Sequence, residues 1–179
     1  CGLGVELWGE CYNIETTTII NLSDNGLTGE IPPEIGNLTN LTYLNLHGNN
    51  LTGGIPVEIG QLYNLSNLKL SSNPLLGGEI PPEIGNLVNL TDLNLKGCDI
   101  TGGIPSTIGN LINLDVLSLS GNLISSIPNT VENLNRELNE KALMKRPQTL
   151  EKYLRFERQG KNSGGDRKFQ VNFDNTAHP

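Results

Sequence analysis

Apolar and polar positions follow one phrase that returns along most of the chain. Counted from Leu41, Leu65, Leu90 and Leu114, it recurs at spacings of 24, 25 and 24 residues, with a more degenerate copy beginning near Thr17. Each copy reads L-x-x-L-x-L-x-x-N-x-L-t-G-x-I-P-x-x-I-G-x-L-x-N. Ile31-Pro32, Ile55-Pro56, Ile80-Pro81, Ile104-Pro105 and Ile127-Pro128 mark the period. A fixed period in this range predicts a solenoid, in which each unit buries its apolar side only against its neighbours. Leu44-Asn45-Leu46, Leu68-Lys69-Leu70, Leu93-Asn94-Leu95 and Leu117-Ser118-Leu119 alternate apolar and polar. Period two predicts a short strand with one buried face, and stacked units then give a parallel sheet.

Three residues after the second Leu stands an Asn: Asn25, Asn49, Asn73 and Asn122. Its amide carries both donors and an acceptor, so a buried column of such amides is expected to satisfy turn backbone groups inside the stack. Cys98 replaces that Asn in one unit and reads as a small, inert core residue. Gly29, Gly53, Gly77 and Gly102 mark bends, the Ile-Pro step an extended segment, and Ile35, Ile59, Ile84, Ile108 and Val131 the return to the core. Two units depart from the rule. The third carries an insertion, Pro74-Leu75-Leu76-Gly77-Gly78, expected to bulge outward. The fifth, Ile124-Ser125-Ser126-Ile127-Pro128, is one residue short and lacks the Gly, so the regular stack is expected to end there.

The phrase L-t-G-x-I-P-x-x-I-G-x-L resembles the plant-type leucine-rich repeat, over about residues 1–135. That family includes plant receptor ectodomains, inhibitors of cell-wall enzymes and repeat proteins of some marine microbes. The resemblance implies an α/β solenoid: a right-handed leucine-rich-repeat superhelix of five repeats with a concave parallel β-sheet. It also implies a second short strand at Leu27-Thr28, Leu51-Thr52 and Ile100-Thr101. Trp8-Gly9-Glu10-Cys11 is similar to the end of the family's N-terminal cap. The expected organisation is a cap over 1–16, five repeats over 17–135, and an atypical, partly helical C-terminal cap or tail over 136–179.

The length of 179 residues fits one domain, and 36% hydrophobic with 4% aromatic residues fits a thin Leu/Ile core. Charge is divided. Residues 1–135 hold two basic side chains, Lys69 and Lys96, against thirteen acidic ones, whereas residues 136–179 hold ten basic against six acidic. So acidic a solenoid is a poor match for nucleic acid. No apolar run is long enough to span a membrane. The chain opens at Cys1 without Met and reads as processed or trimmed. Cys1 and Cys11 are expected to form a disulfide, which places the chain in an oxidising, extracellular or cell-surface setting. A lipid-modified Cys1 is the alternative.

Past the repeats, Asn135–Lys145 and Thr149–Arg158 have helical spacing, and Phe169, Val171 and Phe173 alternate as a strand. Solenoid ends expose core, so this segment reads as a cap, with a flexible basic tail or a subunit contact as alternatives.

Chemistry is sparse. His47 and His178 sit in no metal-site spacing, Ser120-Gly121 lacks the glycine of a nucleophile elbow, and Gly164-Gly165-Asp166 lacks the Lys-Ser/Thr of a phosphate loop. No cofactor or metal is expected. Glu30, Glu34, Glu58, Glu79 and Glu83 recur on the convex side and read as a solvated face. Thr28, Thr52, Thr101 and Ser125 form a hydroxyl column of the kind that binds ice in some relatives, broken at Leu76. Six N-x-S/T sequons, at Asn21, Asn37, Asn40, Asn50, Asn64 and Asn89, matter only in a eukaryotic secretory pathway.

The concave surface is the strongest candidate. Its outward positions are Ile19, Asn21, Ser23, Tyr43, Asn45, His47, Asn67, Lys69, Ser71, Asp92, Asn94, Lys96, Val116, Ser118 and Ser120. Among them Tyr43, His47, Asn67, Lys69, Asp92, Asn94 and Lys96 are the expected ligand contacts. The expected function is a non-enzymatic extracytoplasmic module that binds a protein or glycan. The alternatives are a structural subunit that self-associates into filaments or arrays, an enzyme inhibitor, or an ice-binding protein.

Overall fold

The computed structural model describes residues 1–126, Pro128, and two strands at Arg155–Arg158 and Phe169–Asn172. An antiparallel hairpin opens the chain: β1 (Gly4–Leu7) pairs with β2 (Glu10–Asn13). Trp8 and Gly9 make its two-residue turn, both with positive φ (48° and 82°), the geometry that matches strand twist. Val5 and Leu7 face the core, and a Cys1–Cys11 disulfide ties the start of the chain to β2.

Five coils follow. Each contributes one strand to a parallel sheet in the order β3 (Ile19–Asn21), β5 (Tyr43–Asn45), β7 (Asn67–Lys69), β8 (Asp92–Asn94) and β9 (Val116–Ser118). The middle residues Ile20, Leu44, Leu68, Leu93 and Leu117 lie in register and pack inward. Opposite them stand short 3-10 helices at Pro33–Asn37, Val57–Gln61, Pro82–Asn86 and Ser106–Asn110. The preceding prolines hold the entry extended, and Ile35, Ile59, Ile84 and Ile108 enter the core from this side. The helix glycines set the spacing between coils. A Cβ on Gly60 would lie 2.6 Å from the Glu83 carbonyl oxygen of the next coil. One hydrophobic cluster runs unbroken from Val5 to Ile124.

The amide column forms as the repeat predicts. Asn49 Oδ1 accepts the N–H groups of Asn25 (3.1 Å) and Leu27 (3.0 Å), while its Nδ2 donates to the carbonyls of Leu22 and Leu46, both at 2.9 Å. Asn122 repeats the arrangement, and Asn73 does so with one accepted N–H, that of Leu51 at 3.2 Å. Asn25 departs from the expectation of burial: it is exposed, because no earlier coil lies over it.

Three further expectations are corrected. Among the described residues the second sheet holds only β4 (Thr28–Glu30) and β6 (Asn50–Thr52); Ile100-Thr101 is not a strand, and an isolated Gly103–Ser126 bridge stands there instead. The inserted residue of the third coil is the cause. Pro74 and Leu75 bulge outward, while Leu76 turns back to fill the core place of Leu51 and Ile100. Gly77 therefore takes the register of Thr52, so the hydroxyl column breaks at Gly77 and not at Leu76. Finally, Arg155–Arg158 is not helical but forms β10, paired antiparallel with β11 (Phe169–Asn172). Pairing across an intervening Gly-rich stretch satisfies this backbone where local spacing pointed to a helix. The expected strand at Phe169 is present; the expected helix at Asn135–Lys145, and the capping role, lie outside the described residues. No described helix is long and apolar enough to cross a membrane.

Candidate functional site

Two outward rows flank the buried row of the concave sheet. One runs Ile19, Tyr43, Asn67, Asp92, Val116; the other runs Asn21, Asn45, Lys69, Asn94, Ser118. Backbone bonds from each following residue carry a third row past the strands through His47, Ser71, Lys96 and Ser120.

Lys69 ties three coils together. Its Nζ lies 3.5 Å from Asp92 Oδ2 on the next strand and 5.8 Å from the centre of the Tyr43 ring on the previous one. Both charged side chains remain partly exposed, so the pair contributes at most about 1 kcal/mol of stability. Its larger effect is to hold an aromatic face, an ammonium and a carboxylate in one cluster. Asp92 Oδ1 is buried with no hydrogen-bond partner. Lys96 is exposed and, among the described residues, has no acidic partner.

Several outward side chains already serve the scaffold. Asn45 Oδ1 accepts the His47 N–H at 3.1 Å, and Asn94 Oδ1 accepts the Lys96 N–H at 3.2 Å. Asn67 Oδ1 accepts the Ser66 hydroxyl at 2.8 Å. None of these contacts uses the amide Nδ2. Ser71, expected to point outward, is buried instead, because it is drawn under His47. His47 Nδ1 lies 3.0 Å from the Ser71 carbonyl and 2.9 Å from its Oγ. A carbonyl only accepts, so Nδ1 meets it as a donor. Ser71 thus fixes the ring, a role with no sequence signal, since small polar residues recur at this register.

The structure brings Tyr43, Lys69 and Asp92 together and places Asn67, Asn94, His47 and Lys96 on the same face. Two contributors were outward positions that sequence reasoning did not rank: Ile19 is 63% exposed and Val116 46% exposed, at opposite ends of the first row. An exposed apolar column also runs along one lateral edge through Tyr63, Val88 and Ile112. Each directly precedes an Asn (Asn64, Asn89, Asn113) whose Nδ2 donates to the previous coil.

The other candidate surfaces are weaker. Thr101 Oγ1 donates to the Gly78 carbonyl (3.1 Å) and Ser125 Oγ to the Gly102 carbonyl (2.9 Å), so these column hydroxyls are committed to the backbone. Among the described residues, no three His, Cys, Asp or Glu side chains are grouped to hold a metal. His178 and Gly164-Gly165-Asp166 lie outside those residues.

Two leucine-rich-repeat family models match the chain, one over residues 15–75 and one over 64–87, 89–111 and 113–134. A comparison with curated proteins finds no match. Among solved structures, the chain is similar to the ectodomain of the Arabidopsis thaliana membrane receptor kinase GASSHO1/SCHENGEN3, in complex with CASPARIAN STRIP INTEGRITY FACTOR 2. Identity is 43%, the TM-score 0.62, and the match covers 64% of this chain and 14% of that one. Similarity to the Arabidopsis receptor kinase HAESA, in complex with the peptide hormone IDA and the co-receptor SERK1, is 38% identity at a TM-score of 0.61, over 65% of this chain and 20% of that one. A chain of the BIR3–SERK2 complex from Arabidopsis thaliana is 35% identical at a TM-score of 0.60, over 73% of this chain and 69% of that one. The chain thus spans a fifth or less of the two receptor-kinase ectodomains.

Proposed function

We propose that this chain, which belongs to the plant-type leucine-rich-repeat family, is an extracellular binding module that recognises a protein or peptide on its concave sheet. One observation carries the reading. The concave sheet gathers Tyr43, Lys69 and Asp92 into a single cluster on rigid, in-register strands. The relatives support it, since HAESA is solved with a peptide hormone and a co-receptor. The Cys1–Cys11 disulfide supports an oxidising compartment. Recognition here means complementarity to a preformed surface, with no bond made or broken.

The test is a selection from a displayed heptapeptide library, followed by affinity measurement on Tyr43→Ala and His47→Ala chains. Both substitutions are expected to weaken the selected peptides at least tenfold. Undiminished affinity in both would move the site off this face.

Lateral self-association is a second reading, favoured by the exposed column of Tyr63, Val88 and Ile112. Light scattering over a concentration series separates the two readings. A constant 19.4 kDa species excludes it.

A further inference from the structure

All the cationic side chains of residues 1–135 are Lys69 and Lys96; both belong to the concave face, Lys69 within β7 and Lys96 two residues past the end of β8. Of the thirteen acidic side chains in that stretch, only Asp92 falls on the same three rows as the lysines, and Lys69 already pairs with it. The face is therefore an island free of net negative charge on a strongly acidic body. Its polar centre is flanked by apolar ends, Ile19 on β3 and Val116 on β9. Four strand spacings separate those ends, about 19 Å, which an extended chain crosses in roughly six residues. Lys96 sits one strand over from Lys69 and two residues further along, roughly 8 Å away between Cα atoms.

We infer that the ligand is an extended peptide segment of about six residues, lying across the five strands, with apolar side chains near both ends and a carboxylate between them that pairs with Lys96. This rests on the reading of the concave sheet as the binding face and specifies its partner. The chemistry follows from what each position lacks. Ile19 and Val116 expose large aliphatic surface that water solvates poorly, so apolar side chains there gain by burial. Lys96 is the unpaired cation, whereas Lys69 is held by Asp92, and pulling it away would leave the carboxylate, whose Oδ1 is already unpartnered, without its counter-ion. A basic ligand would find no free carboxylate on these strands and would instead be drawn to the acidic surfaces elsewhere. A neutral glycan would satisfy the hydroxyls and amides but leave Ile19 and Val116 uncovered. Charge complementarity at one lysine, with apolar contacts on either side, fits a peptide better than either.

The probe is a displayed library of random heptapeptides selected on the full chain, then remade as synthetic peptides for titration. Enriched sequences are expected to carry Asp or Glu between two apolar residues. Replacing that acidic residue by Lys is expected to cost at least tenfold in affinity for the native chain, and Lys96→Glu is expected to reverse the preference. Ile19→Ser and Val116→Ser should each weaken binding severalfold without altering the charge preference. Enrichment of neutral or basic peptides whose binding still needs Tyr43 and His47 overturns this inference and leaves the binding face standing. Peptides indifferent to every concave substitution overturn the face itself. Tighter binding of an oligogalacturonate than of any selected peptide, lost in Lys96→Glu, assigns the lysine to an acidic glycan and overturns the peptide.

Discussion

Cys98 Sγ lies 3.1 Å from the carbonyl oxygen of Leu70, at the place where Asn49, Asn73 and Asn122 each aim an amide. The substitution is coupled to the insertion one coil earlier. Asn49 and Asn122 each accept two N–H groups from the preceding coil, Asn122 from Cys98 and Ile100 at 3.0 Å each. In the inserted coil, Leu76 instead donates its N–H to Asn73 O, within its own turn, at 3.0 Å. Only the Asn73 N–H is left to face the sulfur, and a thiol can serve it.

Deleting Leu75 should therefore strand the Leu76 N–H and destabilise the chain by about 1–3 kcal/mol. Adding Cys98→Asn to the deletion should recover much of that loss, while Cys98→Asn alone should not stabilise. Urea denaturation of the four chains closes the double-mutant cycle. Additive effects would sever the link between the insertion and the thiol.

Burial pushes the Cys98 thiol up, from its ordinary value of 9.0 to about 11, with the Asn73 N–H opposing. The folded state then favours the neutral thiol. Stability from this group is complete below pH 9 and declines as pH climbs toward 11, where the unfolded thiol has already ionised. The loss across that window should be about 2 kcal/mol. It is read as the difference between the native chain and Cys98→Ala in denaturant melts at pH 8 and pH 11. Parallel losses in both chains would contradict it.

Gly60 is needed for the approach of successive coils, since a Cβ there would meet both the carbonyl oxygen (2.6 Å) and the Cβ (2.7 Å) of Glu83. Gly60→Ala should cost about 1–3 kcal/mol by forcing the coils apart. Thr39→Ala, at an exposed side chain nearby in the repeat, should stay within about 0.5 kcal/mol of the native chain. Chemical denaturation compares them, and equal stabilities would refute the packing argument.

The Cys1–Cys11 disulfide closes a loop with a sequence separation of 10 residues over the first coil. Reduction, or Cys1→Ser, should lower unfolding free energy by about 2–3 kcal/mol, chiefly by freeing the unfolded chain. Hydrogen exchange should rise first in β1 and β2. A melt unchanged by reducing agent would assign the cap's stability wholly to Val5 and Leu7.

The repeat was fully legible. Leu41, Leu44, Leu46 and their counterparts return every coil, and a side chain with that period has one direction available in a stacked solenoid. The same logic places Tyr43, Lys69, Asp92 and Lys96 on the concave face. Ser71 shares that register yet is buried, because its contact with His47, 24 residues away, draws it under the ring. At Arg155–Arg158 helical spacing likewise gives way to a strand partner that begins beyond a Gly-rich stretch.

What the sequence determined by itself is therefore whatever repeats: the parallel sheet, the dry seam, the amide column and the choice of outward positions. Tertiary structure alone decided whatever depends on one coil meeting the next. It set Leu76 in the core instead of Thr52's register, ended the second sheet after β6, bound Lys69 to Asp92 while leaving Lys96 unpaired, and opened Ile19 and Val116 at the sheet's two ends. Side-chain periodicity fixes direction within a coil. Contact between coils depends on backbone register, and a single inserted residue is enough to change it.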